Sequence, residues 1–131
     1  MAHIIELSKL GDENGLLSVI TAQKEIPFSI ARIFYIYGLT EETVRGNHAN
    51  RNSRFCMICV AGSCEVEVDD GRVKSKYYLD YPNKALITEK MTWKTMYNFS
   101  EDCVLIVLSD CVYDKNEYIT DYQTFLKEVC Q

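Results

Sequence analysis

A single histidine in a polar segment is the residue of this chain best suited to proton-transfer chemistry. His48 lies two residues after Gly46, and it is one of two histidines among 131 residues. A histidine near its ordinary pKa of about 6.5 can take up and release a proton at neutral pH. Asn50 would share a strand face with His48, and its amide can hold a hydroxyl or carbonyl group but cannot take a proton. A structural, hydrogen-bonded role is the alternative for His48.

Arginines surround His48 in the sequence and indicate an anionic ligand. Arg45, Arg51 and Arg54 lie close to it, in a chain whose formal net charge is −5. Arg32 lies inside an apolar run, where its guanidinium needs an anionic partner because burying an unpaired charge is costly. A buried carboxylate would be the ordinary partner, and a ligand phosphate held bidentately would be the functional one.

Candidate proton donors also occur on neighbouring apolar runs. Lys94 could stabilise an enolate by its charge or, if desolvation lowers its pKa, donate a proton. An exposed strand lysine is the alternative. The phenols of Tyr35, Tyr37 and Tyr97 are candidate acids, although nine tyrosines are present and most of them must serve packing.

Short apolar runs between turn signals predict an all-β chain that positions these residues. The predicted strands span residues 16–22, 30–37, 55–61, 64–69, 72–79, 84–88, 94–99 and 103–109. Asp70-Gly71 predicts a hairpin turn because glycine readily adopts a positive φ. After Asp114 the apolar residues recur every three or four positions, which predicts an amphipathic C-terminal helix with Asp114 and Glu117 as its capping box.

Composition bounds the class of protein. A length of 131 residues predicts one domain, residues 1–131. Without a continuous run of lysines and arginines, and with a negative net charge, we expect no nucleic-acid binding. Without a long apolar stretch or leader pattern we expect no membrane segment and a cytoplasmic location. The six cysteines lie in apolar runs, which indicates reduced core thiols. Cys56 and Cys59 would point to opposite faces of a strand, so they could not grip one zinc ion.

The spacing around these residues follows the two motifs of the cupin barrel, a double-stranded β-helix or jelly roll. In metal-binding cupins the first motif runs from a His-x-His pair through a glutamate to a glycine. Here these places hold His48, Asn50, Phe55 and Gly62, and Lys94 stands for the histidine of the second motif. Asparagine is a weak donor, phenylalanine is none, and an ammonium group repels a cation. We therefore expect an all-β cupin barrel with a C-terminal α-helix, without a metal or any other cofactor.

Nearly end to end, the chain resembles the sugar 3,4-ketoisomerases of the FdtA/QdtA type, the WxcM-like cupins. The segments that carry the resemblance are 15–19, 26–36, 45–49, 62–64, 69–71, 93–100 and 113–122. The resemblance implies a metal-free homodimer acting on thymidine diphosphate (dTDP, also written TDP) 4-keto-6-deoxyglucose. The ketone would move from C4 to C3 through an enediolate, in the synthesis of a deoxysugar for a surface glycan such as the O-antigen of lipopolysaccharide.

The resemblance also assigns roles to residues. By position, Tyr35 would serve proton transfer or substrate binding, Arg45 would meet the charge of the ligand, and His48 would meet the sugar. Together with the residues chosen above from their own sequence context, the candidate residues are His48, Tyr35 and Lys94 for catalysis, and Arg32, Arg45, Asn50, Arg54 and Tyr97 for substrate binding.

Several places of the family pattern hold other residues in this chain. The family has a second histidine where Asn50 stands, a glutamine at Phe55, and histidines at Lys94 and Tyr97. Three hypotheses follow. The chain is a ketoisomerase in which His48 transfers the proton while the altered residues steer the enediolate, or it catalyses a related nucleotide-sugar isomerisation or epimerisation, or it binds a nucleotide sugar without converting it. The first is our main hypothesis.

Overall fold

Two five-stranded antiparallel sheets form the walls of a barrel in the computed structural model, which describes residues 1–130. Along these residues the elements are β1 (Ala2–Glu6), β2 (Leu10–Asp12), β3 (Gly15–Leu17), β4 (Arg32–Ile36), β5 (Arg45–Asn50), β6 (Phe55–Ala61), β7 (Cys64–Asp69), β8 (Lys74–Leu79), β9 (Lys84–Thr88), β10 (Trp93–Tyr97), β11 (Val104–Ser109), β12 (Tyr118–Ile119) and α1 (Tyr122–Val129). The first sheet has the order β1-β9-β6-β11-β4, the second has the order β12-β5-β10-β7-β8, and β2 and β3 form a separate hairpin. Over residues 1–130, no helix has the length and apolar character needed to cross a membrane.

The two sheets enclose an apolar core. Met57, Val66, Leu86 and Leu105 are buried between them, one from each of four strands. The outer face of the first sheet carries a second apolar cluster, which includes Cys56 and lies partly under the segment after β3. Because β6 is covered on both faces, its residues read as a continuous apolar run rather than an alternating one.

The predicted fold class, an all-β cupin barrel with a C-terminal α-helix, is confirmed. Strands β6, β7 and β9 have the bounds predicted from the sequence. The predicted hairpin joins β7 to β8 through the turn at Asp70–Val73, in which Gly71 has a φ of +94°. The side chain of Asp70 accepts hydrogen bonds of 2.8 Å from the backbone N–H groups of Arg72 and Val73, which fixes this four-residue turn.

Strand β5 was not among the predicted strand ranges, although His48 and Asn50 were expected to share a strand face. Its sequence, from Arg45 to Asn50, is polar and contains a glycine, a pattern typical of a loop. The segment is a strand because it pairs with β10 on one side and with β12 on the other. The predicted strand at 16–22 is shorter than expected, since only β3, ending at Leu17, has a partner, the neighbouring β2.

The C-terminal helix begins later than predicted, and the capping box at Asp114 and Glu117 is wrong. Asp114 caps only a short 3-10 turn, Lys115–Glu117. The N-cap of α1 is Asp121, whose side chain accepts a 2.9 Å hydrogen bond from the backbone N–H of Thr124. Between the two turns, β12 pairs with β5, so the chain returns to the second sheet before the helix starts.

Candidate active site

A pocket of about 230 Å³ lies inside the barrel, between the two sheets. Its lining comes from five strands and from the segment before α1, and consists of Phe34, Ile36, Arg45, Gly46, His48, Phe55, Met57, Lys94, Met96, Val107, Tyr113 and Tyr118. The wall from the first sheet is apolar, whereas the wall from β5 and β10 carries the ionisable groups. An apolar pocket with a few convergent polar groups is the usual form of a small-molecule site.

His48 projects into this pocket from β5. Its ring lies 4.9 Å, centroid to centroid, from that of Tyr118. Burial, together with the positive charge of Lys94, lowers the pKa of His48 to about 4. The ring is therefore neutral at pH 7. The lowered pKa differs from the ordinary value of about 6.5 that was expected from the sequence.

Lys94 lies opposite His48 in the register of β5 and β10, and it is 2 % exposed. Its Nζ donates to the backbone carbonyl of Thr92 at 3.2 Å and to Oδ1 of Asn50 at 3.4 Å. It also lies 4.7 Å from the centroid of the Phe55 ring. Burial lowers the pKa of Lys94 to about 7, so the amine and the ammonium forms coexist at neutral pH. The alternative of an exposed strand lysine is therefore wrong.

Asn50 does not line the pocket, in contrast to its predicted role in substrate binding. It is fully buried behind Lys94, and its Oδ1 holds the Lys94 ammonium. Its Nδ2 makes no hydrogen bond of normal geometry within residues 1–130, but it lies close enough to Glu117 to help lower the pKa of that carboxyl group. The alternation of β5 does direct Asn50 to the same side as His48, as predicted, but farther along the barrel. Asn50 therefore contacts Lys94 rather than the open space of the pocket.

Gly46 allows β5 and β10 to approach closely at the pocket. Its φ is +87°, and a Cβ at this position would lie 2.7 Å from the carbonyl oxygen of Lys94. A larger residue would push the two strands apart, because backbone atoms cannot move aside as the end of a side chain can. The glycine of the sequence motif therefore helps to set the position of Lys94.

Glu117 is a buried carboxylate beside the pocket that the sequence analysis missed. It accepts hydrogen bonds from the hydroxyl of Ser53 and from the backbone N–H groups of Asn52 at 2.9 Å and Ser53 at 3.0 Å. Burial alone would raise the pKa of this carboxyl group, but the hydrogen bonds outweigh burial and the pKa lies below its ordinary value. Its negative charge in turn raises the pKa values of His48 and Lys94, against the effect of burial. The sequence pattern assigned Glu117 to a helix capping box with Asp114, so its contact with Ser53 was not predicted.

We expect Glu117→Gln to lower the pKa of Lys94 below about 7, because the variant removes the negative charge that favours the ammonium form. The loss of a carboxylate acceptor should also destabilise the fold by about 1–3 kcal/mol. An NMR titration of the Lys94 side chain measures the first effect, and urea unfolding measures the second.

Asp110→Asn is the matched control for this variant. Asp110 is a part-buried carboxylate that also accepts a backbone N–H, that of Arg54 at 2.8 Å, but it does not line the pocket. This variant should lose stability and leave the Lys94 titration unchanged. Equal titrations in wild type and Glu117→Gln would contradict the electrostatic role of Glu117.

Arg32 points into the barrel without a carboxylate partner within residues 1–130. Its guanidinium carbon lies 5.4 Å from the ring centroid of Phe34, 5.9 Å from that of Phe55 and 5.6 Å from that of Tyr113. Aromatic faces attract a cation, but they leave its N–H groups unused. The buried Nε and Nη2 have no acceptor along the described chain, so Arg32 can receive an anion at the edge of the pocket.

The two other arginines predicted to bind substrate, Arg45 and Arg54, differ in their position relative to the pocket. Arg45 lines the pocket and is exposed, which puts its charge at the mouth. Arg54 lies outside the pocket, in contrast to its predicted role in substrate binding. Its Nε is 3.0 Å from Asp110, and its guanidinium carbon lies 5.3 Å from the ring centroid of Phe28. The charge of Arg54 is neutralised by this pair.

Two predicted site tyrosines do not line the pocket. Tyr35 is 62 % exposed and stacks on Tyr37, and Tyr97 lies near Lys76, whose Nζ is 5.6 Å from its ring centroid. Tyr35 lies three residues after the inward-facing Arg32, and Tyr97 lies three residues after the inward-facing Lys94. Alternation along a strand therefore directs both tyrosines outward. Tyr113 and Tyr118, from the segment before α1, supply the phenols at the pocket instead.

Comparisons with known proteins agree with this geometry. The model of the FdtA family, described as WxcM-like, C-terminal, matches residues 1–130. A curated relative from Aneurinibacillus thermoaerophilus, TDP-4-oxo-6-deoxy-alpha-D-glucose-3,4-oxoisomerase, is 38% identical over 128 residues, covering 98% of this chain and 92% of the relative.

Solved structures give the same result. A 3,4-ketoisomerase from Helicobacter canadensis aligns with a TM-score of 0.96 and 38% identity over 99% of this chain and 98% of its own. WlaRA from Campylobacter jejuni, a TDP-fucose-3,4-ketoisomerase, aligns with a TM-score of 0.91 and 44% identity over 97% of this chain and 94% of its own. The family match, the identities and the barrel together show that this chain belongs to the FdtA family of WxcM-like cupins.

Proposed function

We propose that this protein is a 3,4-ketoisomerase that acts on a TDP-linked 4-keto-6-deoxyhexose. The observation that carries the proposal is the pairing of His48 with the buried Lys94 across β5 and β10, inside a pocket edged by unpaired arginines. The activities named for the relatives support it, since each is a 3,4-ketoisomerase or oxoisomerase of this family.

The size of the pocket suits a sugar ring rather than a whole nucleotide sugar. At about 230 Å³ it is smaller than the roughly 300–1,000 Å³ of pockets that enclose larger ligands. The hexose would enter the barrel while the nucleotide stays at the mouth. There Arg45, and Arg32 at the edge, would bind the diphosphate through charge-assisted hydrogen bonds.

Lys94 is the group best suited to remove the proton from carbon. In the amine form its Nζ would take the proton from C3, and the electron pair would move into the C3–C4 bond while the C4 carbonyl becomes an oxyanion. The resulting enediolate would then take a proton at C4 from the Lys94 ammonium, whose other two N–H protons come from the solvent. A pKa of about 7 matches this double role, because proton transfer is most efficient near the operating pH.

His48 would serve the two oxygens. Its neutral ring can donate a hydrogen bond to the oxyanion at O4 and accept the hydroxyl proton of O3, so that this proton passes from O3 to O4 as the ketone forms at C3. A histidine with a lowered pKa can act in this way as a neutral electrophile. In this assignment Tyr113 and Tyr118 can donate further hydrogen bonds, and the exposed Tyr35 has no part within one subunit.

The pocket needs neither a metal nor another cofactor in this proposal. His48 is its single histidine, and the pocket lining contains no cysteine, aspartate or glutamate. A divalent metal needs several such ligands. Lys94 and Arg32 already provide positive charge where an enediolate and a diphosphate require it.

One incubation tests the proposed function. TDP-4-keto-6-deoxyglucose labelled with ¹³C in the hexose is added to the protein in deuterated water and followed by NMR. We expect the carbonyl signal to move from C4 to C3, with deuterium appearing at C4. Nucleotide-sugar binding without exchange would favour a binding protein, and inversion without migration of the ketone would favour an epimerase.

We propose a homodimer formed through the outer face of the first sheet. This face has a groove of about 790 Å³, lined mainly by apolar side chains such as Ile33, Leu16 and Val60. Ile33 is 59 % exposed and Leu16 is 67 % exposed in the single chain. An apolar surface of this size usually marks an interaction site, and a second copy has the same apolar face to offer.

Ile33→Lys should therefore yield a monomer in light scattering, because the variant introduces a charge into the proposed interface. Val112→Lys is the control, since Val112 is also exposed but does not line the groove. A wild-type monomer, or a dimer that survives Ile33→Lys, would contradict the interface.

We also propose that residues 1–131 act as one domain and that the protein works in the cytosol. There it would supply a keto-sugar for surface-glycan synthesis such as that of O-antigen. All six cysteines are free thiols, which suits a reducing compartment.

A further inference from the structure

Three thiols converge at one end of the barrel, on residues that do not line the pocket. Cys59 lies near the end of β6, Cys64 begins β7, and Cys103 directly precedes β11. The Sγ atom of Cys59 is 3.5 Å from that of Cys64 and 3.6 Å from that of Cys103, and the three sulfurs lie within 4.8 Å of one another. All three residues are buried.

The loop between β6 and β7 brings the sulfurs together. Gly62, with a φ of +67°, turns the chain from the first sheet into the second, and a Cβ there would lie 2.8 Å from the Cα of Cys103. The backbone N–H of Ser100 donates to the carbonyl of Ser63 at 2.9 Å, which fixes the segment before Cys103 against this loop. The cluster therefore rests on a close backbone contact rather than on flexible side chains.

The C-x-x-C spacing in the sequence is not part of this cluster. Cys56, three residues before Cys59, points to the apolar cluster on the outer face of the first sheet, as strand alternation predicts. Cys59 instead meets cysteines five and forty-four positions away. Sequence spacing gives no sign of such a group, because it forms only when the two sheets close.

The geometry points to a metal site: we propose that Cys59, Cys64 and Cys103 bind one Cu(I) ion as a three-thiolate centre. Thiolate sulfur lies about 2.3 Å from a bound metal such as zinc, so three sulfurs around an ion in their plane stand about 4 Å apart. The sulfurs of this cluster match that spacing after movements of less than about 1 Å. Each thiol that becomes a ligand releases its proton to solvent as the metal–sulfur bond forms.

The donor set selects the ion. Soft thiolates favour Cu(I), whereas hard cations such as magnesium and calcium take oxygen ligands. A structural zinc site uses four protein ligands, and in the described part of the chain no fourth histidine, cysteine, aspartate or glutamate joins the three thiols. Three soft donors without a fourth ligand therefore fit Cu(I) better than a structural zinc ion.

The test uses a background without the more accessible thiols. Cys111→Ser and Cys130→Ser together remove the two cysteines that are not buried. This parent protein is titrated anaerobically with Cu(I) in competition with a chromophoric Cu(I) chelator. We expect one equivalent to be withheld from the chelator, with X-ray absorption showing a shell of sulfur alone at about 2.3 Å.

Matched variants in this background locate the ion. Cys59→Ala should release the copper to the chelator, whereas Cys56→Ala, which also removes a buried thiol from β6, should retain it. If Cys59→Ala does not fold, Cys103→Ala and the absorption spectrum of the parent decide the question. A parent that withholds no Cu(I), a shell containing nitrogen or oxygen, or equal loss in Cys56→Ala would overturn the site. Retention of zinc without Cu(I) would overturn the choice of ion.

Discussion

Lys94→Met is expected to abolish ketone migration and, at neutral pH, to stabilise the fold. The variant removes the proposed base at C3 but keeps a side chain of similar length in the same apolar space. Loss of a general base typically costs a factor of about 10²–10⁴ in rate. The stabilisation arises because wild type buries an ammonium group without a carboxylate in contact.

The pH dependence of stability follows from the two pKa values of Lys94. The pKa is about 10.5 in the unfolded chain and about 7 in the folded protein. Between these values the unfolded chain binds one proton more, so wild-type stability rises with pH in this window. Below about pH 7 the whole free-energy cost of burying the Lys94 ammonium is present. It amounts to a few kcal/mol, at about 1.4 kcal/mol per unit of pKa difference. Lys94→Met lacks this group and should lack the dependence.

Urea unfolding of both proteins between pH 6 and 10 tests this prediction. The stability advantage of Lys94→Met should be largest at pH 6–7 and shrink towards pH 10. Lys24→Met, a change of an exposed lysine, is the control and should behave like wild type at every pH. An advantage that does not vary with pH would contradict the folded-state pKa, and deuterium exchange at wild-type rate would contradict the catalytic role.

The apolar strands could be predicted from the sequence because their pattern reflects burial in this fold. Strand β6 is covered on both sides, and Cys64–Asp69 alternates between apolar and polar residues, so both strands have clear signals. Strand β5 has no such signal, because two of its polar residues, Arg45 and His48, face a pocket and its order comes from pairing with β10 and β12. A site residue such as His48 therefore lies where the local pattern is weakest.

The site itself could be predicted only in part. His48, Arg45 and Lys94 were assigned to it from motif spacing and resemblance, and all three line the pocket. Tyr35 and Tyr97 were assigned by position in the family without regard to strand alternation, which turns both outward.

The remaining site residues depend on contacts between distant parts of the chain. Tyr113 and Tyr118 reach the pocket, and Glu117 lies beside it, because the segment before α1 returns to pair with β5. No local sequence pattern encodes that return. The same holds for the three converging thiols, which belong to different strands or loops in sequence and meet only when the barrel closes.

The pairing of Lys94 with Asn50 gives a physical reason for the asparagine. A second imidazole in its place would compete for the proton that Lys94 is proposed to carry, whereas an amide oxygen can hold the ammonium but cannot take its proton. A carboxylate there would stabilise the ammonium form and raise the pKa of Lys94 away from neutrality. The amide therefore orients Lys94 and leaves its pKa near 7.

His48→Asn is expected to reduce deuterium exchange by about 10²-fold or more, while TDP binding stays near the wild-type value. The variant removes the ring that would move the hydroxyl proton between O3 and O4, but it leaves Arg32 and Arg45 in place for the diphosphate. His3→Asn, a change of an exposed histidine on β1, is the control and should retain full activity.

The pH profile separates the two proposed roles. Because the pKa of His48 is about 4, its titration lies below the working range, and the rise of the exchange rate near pH 7 should come from Lys94. The residual rate of His48→Asn should therefore keep the same rise, measured by exchange between pH 5 and 9. A rise that disappears in this variant would show that His48 carries the titration, and would reverse the assignment of the two nitrogen bases.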